Sequence, residues 1–456
     1  MKARNGLTRF FNCYILRESR IIKEELWIRD GKIVNPEEVF YVEKVEPDVS
    51  LDCDGLLIAP GFIDIQINGG WGVDFSYDSE NVEEGIQKVA KELLTHGVTS
   101  FCPTMVTSDK EKYSKILPKI QKKQGSKHGA TILGVHLEGP FICLARKGAH
   151  TPELIKNPIK GIDSLLEMYG SLENVVIVTL APELPGAVEA IKSLSQRGIK
   201  VALGHSEASL AQAEEGVRQG ANLITHLFNA MLPFHHRDPG LVGLLASTTD
   251  KQVYYGIISD GIHTHPAALR IACRTNREGL ILISDAVAAQ GLPDGAYRIG
   301  PQAVSVENGW AYIAGTKTLC GSTMALDRCV KTFKEATECC LEYALETASL
   351  HPARALGIDN IKGKLDYGYD ADFVFLHPKT LEVQSSWIAG EKDMCSQRSE
   401  QNDCLISDGD HEIADRSSWN NGFRARGLVL VSLAPRNLRR RRAAVKAKQL
   451  HLIIKF

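Results

Sequence analysis

Four apolar runs each end in a side chain that can bind a metal or carry a proton, and no other feature of the 456-residue chain constrains its fold as strongly. The runs are Thr131–Glu138, Val201–His205, Asn222–His226 and Gly279–Asp285. Strands buried on both faces read as unbroken apolar stretches, the mark of a parallel sheet. A (β/α)8 barrel keeps its chemistry at the C-terminal ends of such strands. Glu138, His205, His226 and Asp285 are therefore expected to meet in one site.

The surrounding pattern supports an α/β chain with a TIM barrel. From Pro60 onward, strand candidates fall at 61–69, 97–106, 131–139, 174–182, 200–206, 222–229, 254–260 and 279–286. Helix-like segments such as Val82–Leu94, Gly186–Gln196 and Ala208–Gln219 lie between them. Strand–helix units repeated eight times imply closure into a barrel. An open doubly wound sheet is the structural alternative, but no G-x-G-x-x-G opens a helix in the first unit. Before Pro60 the chain reads as short strands, with Asp30-Gly31 turning Leu26–Arg29 back onto Lys32–Val34. After the eighth strand come a hairpin-like excursion over Tyr297–Gly315 and helical runs at Met324–Thr337 and Leu341–Leu350. Gly363–Leu376 then returns to strand character. The spacing predicts a barrel over 60–352 and one small β-sandwich built from 1–59 and 353–392. Residues 393–456 are polar and then strongly basic, ending in Arg439–Arg442 and further lysines, as a solvated, disordered tail would. A nuclear-import or nucleic-acid role is the competing reading of that basic run.

Composition bounds the partners. A formal net charge of −2 and a pI near 6.7 give no global attraction to nucleic acid or anionic membrane. No apolar run approaches the roughly 18–20 residues that span a bilayer, and Met1–Gly6 lacks the apolar core of a secretion signal. A cytoplasmic protein with neither nucleic-acid nor membrane partners is expected. The eleven cysteines form no C-x-x-C pair and are expected to be reduced, mostly buried thiols.

A catalytic zinc commonly takes three ligands from His, Asp and Glu and keeps a fourth position for water. Glu138, His205 and His226 make such a set, and Asp285 is placed to take a proton from that water and hand it to a leaving amine. Its bland alternative is to cap the segment that follows.

Several ordered motifs make the comparison specific. They are Ala59-Pro60-Gly61-Phe62-Ile63-Asp64, Gln66-Ile67-Asn68-Gly69-Gly70, His136-Leu137-Glu138-Gly139-Pro140-Phe141 and Lys147-Gly148-Ala149-His150. Further along come Gly204-His205-Ser206, Thr225 to Met231, Ser259-Asp260-Gly261, Ser284-Asp285-Ala286 and Ala348 to Ala353. With these motifs the chain resembles the N-acetylglucosamine-6-phosphate deacetylases of the amidohydrolase superfamily, and Leu232 to Gly240 reads like their animal branch. The resemblance implies hydrolysis of the acetamide of N-acetyl-D-glucosamine 6-phosphate to D-glucosamine 6-phosphate and acetate, in amino-sugar catabolism. It implies Glu138, His205 and His226 as metal ligands, Asp285 as acid and base, and His150 as a donor that polarises the acetyl carbonyl. Asn229, Ala230, Arg237 and His263 would hold the sugar phosphate, with Ala149, Leu319, Cys320 and Gly321 lining the pocket. A homodimer, with partner residues reaching the phosphate, is also implied.

Many amidohydrolases carry H-x-H on strand one and bind a second metal there. Gln66 and Asn68 stand at those positions here, and amides are poor zinc ligands, so one divalent metal per chain is expected, zinc above others. Cys320 departs from the small Ser or Ala expected at its position, and the residues after Glu391 match nothing in the family pattern, as an alternative terminal exon would produce. A related amidohydrolase acting on another amide, such as a cyclic ureide, would call for the missing H-x-H. A non-catalytic scaffold would not retain all four strand-end residues.

Overall fold

The computed structural model describes residues 6–77, 80–299 and 302–393. The expected basic tail lies outside the described residues except for Asp393, which is fully buried and whose carboxylate accepts the N–H of Ser386 at 2.9 Å. Among the described residues, no helix is long and apolar enough to cross a membrane.

Eight parallel strands form the barrel sheet: β1 (Phe62–Ile67), β2 (Val98–Val106), β3 (Val135–Glu138), β4 (Val175–Leu180), β5 (Lys200–Leu203), β6 (Leu223–Ile224), β7 (Tyr254–Ile257) and β8 (Leu280–Leu282). Each pairs with the next in chain order. The seam between β8 and β1 closes just beyond the ladder, where Asp285 N–H donates to the Gln66 carbonyl at 2.9 Å and Asn68 N–H to the Ala286 carbonyl at 2.7 Å. All eight strands fall inside the stretches expected from sequence. Ile63, Ile65, Ile177, Leu223, Ile281 and Ile283, from strands around the ring, share one apolar cluster, the filled interior typical of this fold.

Helices cover the outside because their apolar positions recur at helical spacing. Val82–Leu94 runs over its expected length and buries Val82, Ile86, Val89, Ala90 and Leu93. Leu210–Gln219 starts at Ser209, whose side chain accepts from Gln212 N–H while Gln212 reaches back, a reciprocal cap. The run expected over Leu341–Leu350 divides into Leu341–Glu346 and a separate helix, Leu350–Leu356. Pro352 explains the break, since it has no N–H to donate and is tolerated only in a first turn. Leu350–Leu356 spans residue 352, and its Ala353 and Ala355 join the cluster inside the barrel. The excursion after β8 is a three-stranded antiparallel sheet over Gly295–Ile299, Gln302–Glu307 and Trp310–Ile313.

Segments on either side of the barrel, within 8–60 and 373–392, meet in a β-sandwich. Phe373–Leu376 pairs antiparallel with Leu57–Pro60, in a six-stranded sheet that also holds Val383–Ile388 and Tyr14–Arg17. A four-stranded sheet faces it, with Asp30 (φ +52°) and Gly31 (φ +75°) turning its hairpin. Between the sheets, Phe10 meets Phe373 edge-on at 5.4 Å, and Trp387 stacks on Phe373 at 5.7 Å. Leu57–Pro60 leads directly into β1, so the sandwich anchors the strand that carries Gln66 and Asn68.

Candidate active site

Glu138 ends β3, and its Oε1 lies 3.0 Å from Nε2 of His205 and 3.0 Å from Nε2 of His226. The two Nε2 atoms are also 3.0 Å apart. His205 and His226 each follow their strand by two residues, and Asp285 follows β8 by three. All three have left-handed backbones, at φ +48°, +28° and +46°. Non-glycine residues are held in that region only where the surroundings over-determine them, as at functional sites. All four side chains are buried.

The triangle calls for a cation. His205 Nδ1 lies 2.8 Å from the Arg146 carbonyl and must donate to it. A neutral ring then turns a bare Nε2 lone pair toward the Glu138 oxygen and the second imidazole. Three electron-rich atoms so close repel one another unless a proton or a metal sits among them. Ligands about 2.1 Å from a tetrahedral zinc are about 3.4 Å apart, close to the spacing found, and two His with one Glu is a ligand set that catalytic zinc uses. The residues fit a divalent metal. Burial opposes charge on Glu138, yet the two facing imidazoles, His205 and His226, leave its carboxyl well below the usual range.

His150 is adjacent: Glu138, His150 and His205 also have ligand atoms within 4.8 Å of one another. Its Nδ1, however, accepts the Thr107 N–H at 3.4 Å and lies 2.6 Å from the Thr107 hydroxyl. Burial pushes the ring down to about 3, with His205 adding to the effect, so it is neutral and its proton belongs on Nε2. In that tautomer the His150 Nε2 carries a proton rather than a lone pair. His136 is neutral too, pushed down to about 4 by burial. Its Nδ1–H donates to the Ile65 carbonyl at 3.0 Å and its Nε2 accepts from Thr179 at 2.8 Å, which makes it a structural member of the barrel interior.

Asp285 completes the group. Burial first, and then the charge of Glu138, push its carboxyl up to about 6. Asn68 Nδ2 donates to its Oδ1 at 2.9 Å, and Gln66 Nε2 lies 3.2 Å from the same oxygen and 3.3 Å from Oε2 of Glu138. The two amides thus bridge two buried carboxylates.

One cavity opens over this group. Its wall includes Glu138, Ala149, His150, His205, His226, Asn229, Ala230, His263, Asp285, Leu319, Cys320 and Gly321.

The amidohydrolase family profile matches residues 57–398. An N-acetylglucosamine-6-phosphate deacetylase of Danio rerio is 53% identical over 390 residues, 85% of this chain and 96% of that protein. The Homo sapiens protein of that name is 53% identical over 386 residues, 84% of this chain and 94% of its own. Among solved structures, a Mycobacterium smegmatis mutant N-acetyl-D-glucosamine-6-phosphate deacetylase in complex with N-acetyl-D-glucosamine-6-phosphate superposes with a TM-score of 0.72 at 31% identity, covering 86% of this chain and 99% of that one.

The chain belongs to the N-acetylglucosamine-6-phosphate deacetylases of the amidohydrolase family.

Of the site residues that membership in this family suggested, the structure brings all but Arg237 to the cavity. Arg237 is exposed, on an exposed stretch running from Pro233 to Asp238. Its backbone N–H turns in to His235 Nδ1 at 3.3 Å, and its side chain does not join the cavity wall of this chain. Cys320 fits its place: it is 6% exposed, its Sγ lies 3.8 Å from the Gln302 amide oxygen, and burial pushes the thiol up to about 12. Sequence reasoning missed Asp74, Tyr77 and Gln302 in the wall. Gln302 donates to the Ala149 carbonyl from the three-stranded excursion, a long-range contact with no local signal.

Proposed function

We propose that this chain is the hydrolase that cleaves the linear amide of N-acetyl-D-glucosamine 6-phosphate to D-glucosamine 6-phosphate and acetate, in amino-sugar catabolism. Glu138, His205 and His226 hold one divalent metal, zinc in this reading. A metal held there would supply an activated water at neutral pH and a Lewis acid for the amide carbonyl. Asp285 takes the proton of the attacking water and gives it to the departing nitrogen. His150 donates its Nε2–H to the carbonyl oxygen as negative charge builds there. Asn229, Ala230 and His263 hold the sugar phosphate, and Ala149 with Leu319, Cys320 and Gly321 shapes the wall around it.

Gln66 and Asn68 leave the strand-one position without imidazoles, hence one metal rather than two. The protein acts as a cytoplasmic homodimer, and Arg237, which lies outside its own cavity wall, serves the phosphate of the partner's site.

The observation that carries this reading is the 3.0 Å convergence of Glu138, His205 and His226 beside a buried, raised Asp285. The test is acetate release from N-acetylglucosamine 6-phosphate by the purified, metal-loaded chain. One acetate for each free amine formed supports the reading; no turnover at full metal loading refutes it.

A further inference from the structure

His263 reaches the cavity with its side chain 8% exposed, and the Asp260 side chain behind it is 1% exposed. Asp260 Oδ2 lies 2.6 Å from His263 Nδ1. Its other oxygen accepts the backbone N–H groups of Ile262 at 3.0 Å and His263 at 2.9 Å. A tight turn accounts for the Oδ1 contacts but not for Oδ2, which is aimed at the ring. Burial works against the Asp260 charge, yet the hydrogen bond from His263 overrides it and holds the carboxyl below its usual range.

The pairing has a consequence at the far side of the ring. A carboxylate on Nδ1 requires a proton there, so a neutral ring would show the cavity only a lone pair at Nε2. A lone pair repels a phosphate oxygen. A ring carrying a proton on both nitrogens donates to the carboxylate behind and to an anion in front.

We propose that Asp260 is a positioning residue for phosphate recognition: through Oδ2 it holds His263 as a double donor whose Nε2–H takes the phosphate of the substrate. This rests on the reading of His263 as a sugar-phosphate ligand. Asp260 itself touches no substrate.

Steady-state kinetics on two substrates, N-acetylglucosamine 6-phosphate and unphosphorylated N-acetylglucosamine, test it with the metal-loaded full chain. Asp260→Asn keeps an oxygen for the turn and loses the charge. It is expected to raise KM for the phosphorylated sugar about tenfold or more, the scale of a charge-assisted bond. The value of kcat should stay within about threefold, and kcat/KM on the unphosphorylated sugar within about twofold, because only the phosphate contact is lost. His263→Gln should also raise KM for the phosphorylated sugar, and the double variant should be no worse than the more impaired single one. Equal losses on both substrates, or an unchanged KM, overturn the proposal. A wild-type enzyme with no preference for the phosphorylated sugar overturns the functional reading instead. Should Asp260→Asn fail to fold, 15N NMR of the wild-type His263 ring with glucosamine 6-phosphate bound decides. Two protonated nitrogens are expected, and a singly protonated ring refutes the proposal.

Discussion

In the sandwich, Lys362 is buried between two carboxylates: its ammonium contacts Asp372 and lies 2.9 Å from Asp370. Asp370 also meets Lys32 at 2.6 Å, and Asp372 accepts the Ala389 N–H at 2.7 Å. Every charge there ends on an opposite charge or a backbone donor. At the barrel mouth, two carboxylates, Glu138 and Asp285, are buried beside three imidazoles and two amides, and one Glu138 oxygen faces both His205 and His226. The backbone differs as well. The left-handed residues of the sandwich, such as Asn12 and Asp30, sit in turns, while those at the mouth include His205, His226 and Asp285 themselves. The sandwich network is complete within the chain, whereas the site is balanced only when a cation joins it. Buried charge that is closed holds structure, and buried charge left open does chemistry.

The largest effect expected from this contrast is at Asp285. Replacing it with Asn should lower kcat about 10²- to 10⁴-fold, the range for losing a positioned proton carrier, with the thermal midpoint preserved. In the sandwich the same kind of change should act on stability alone. Lys362→Met leaves the buried Asp372 carboxylate without its cation, Asp370 keeping Lys32, and should lower the unfolding free energy by about 3 kcal/mol in denaturant titrations, with kcat per folded molecule unchanged. A kcat loss matching that of the Asp285 variant would erase the distinction between the regions.

His136 gives a pH test. Its folded pKa is depressed to about 4, from an ordinary value of 6.5. The unfolded chain therefore takes up the proton first. The contribution of the neutral ring is fully present above pH 6.5 and is lost as pH falls toward 4, by up to about 3 kcal/mol. Unfolding free energy measured over that window should drop less steeply in His136→Gln than in the wild type. The smallest effect is at Asn68. Asn68→Ala should lower kcat about tenfold, the size of one hydrogen bond to a charged group, with KM within about twofold, because Gln66 still holds the same Asp285 oxygen. An unchanged kcat would mean that the amide pair does not orient Asp285.

The strand ends and the convergence of Glu138, His205 and His226 were legible because both are local: an apolar run fixes the strand, and the residue at its end is carried to the barrel mouth. Val82–Leu94 was legible for the same reason, since its buried positions recur at helical spacing. The left-handed turns at His205, His226 and Asp285 were not, because no glycine marks them. Nor was the shortness of β6, where the chain leaves the ladder at Thr225 as its hydroxyl meets Thr179 at 2.7 Å. That Arg237 lies outside the cavity wall of its own chain was not legible, because a motif match carries residue type but not position. Asp260 was visible in its motif, but its hold on His263 depends on which way a carboxylate points.

The central claim is that three residues hold one metal and a fourth moves the proton. Metal content per chain, measured on the wild type, Glu138→Gln and Asp285→Asn from one preparation, tests it most directly. The expected result is about one metal in the wild type and in Asp285→Asn, and a marked loss in Glu138→Gln, the set of contacts that a catalytic zinc requires. Two metals per wild-type chain, or full metal retention in Glu138→Gln, would contradict it.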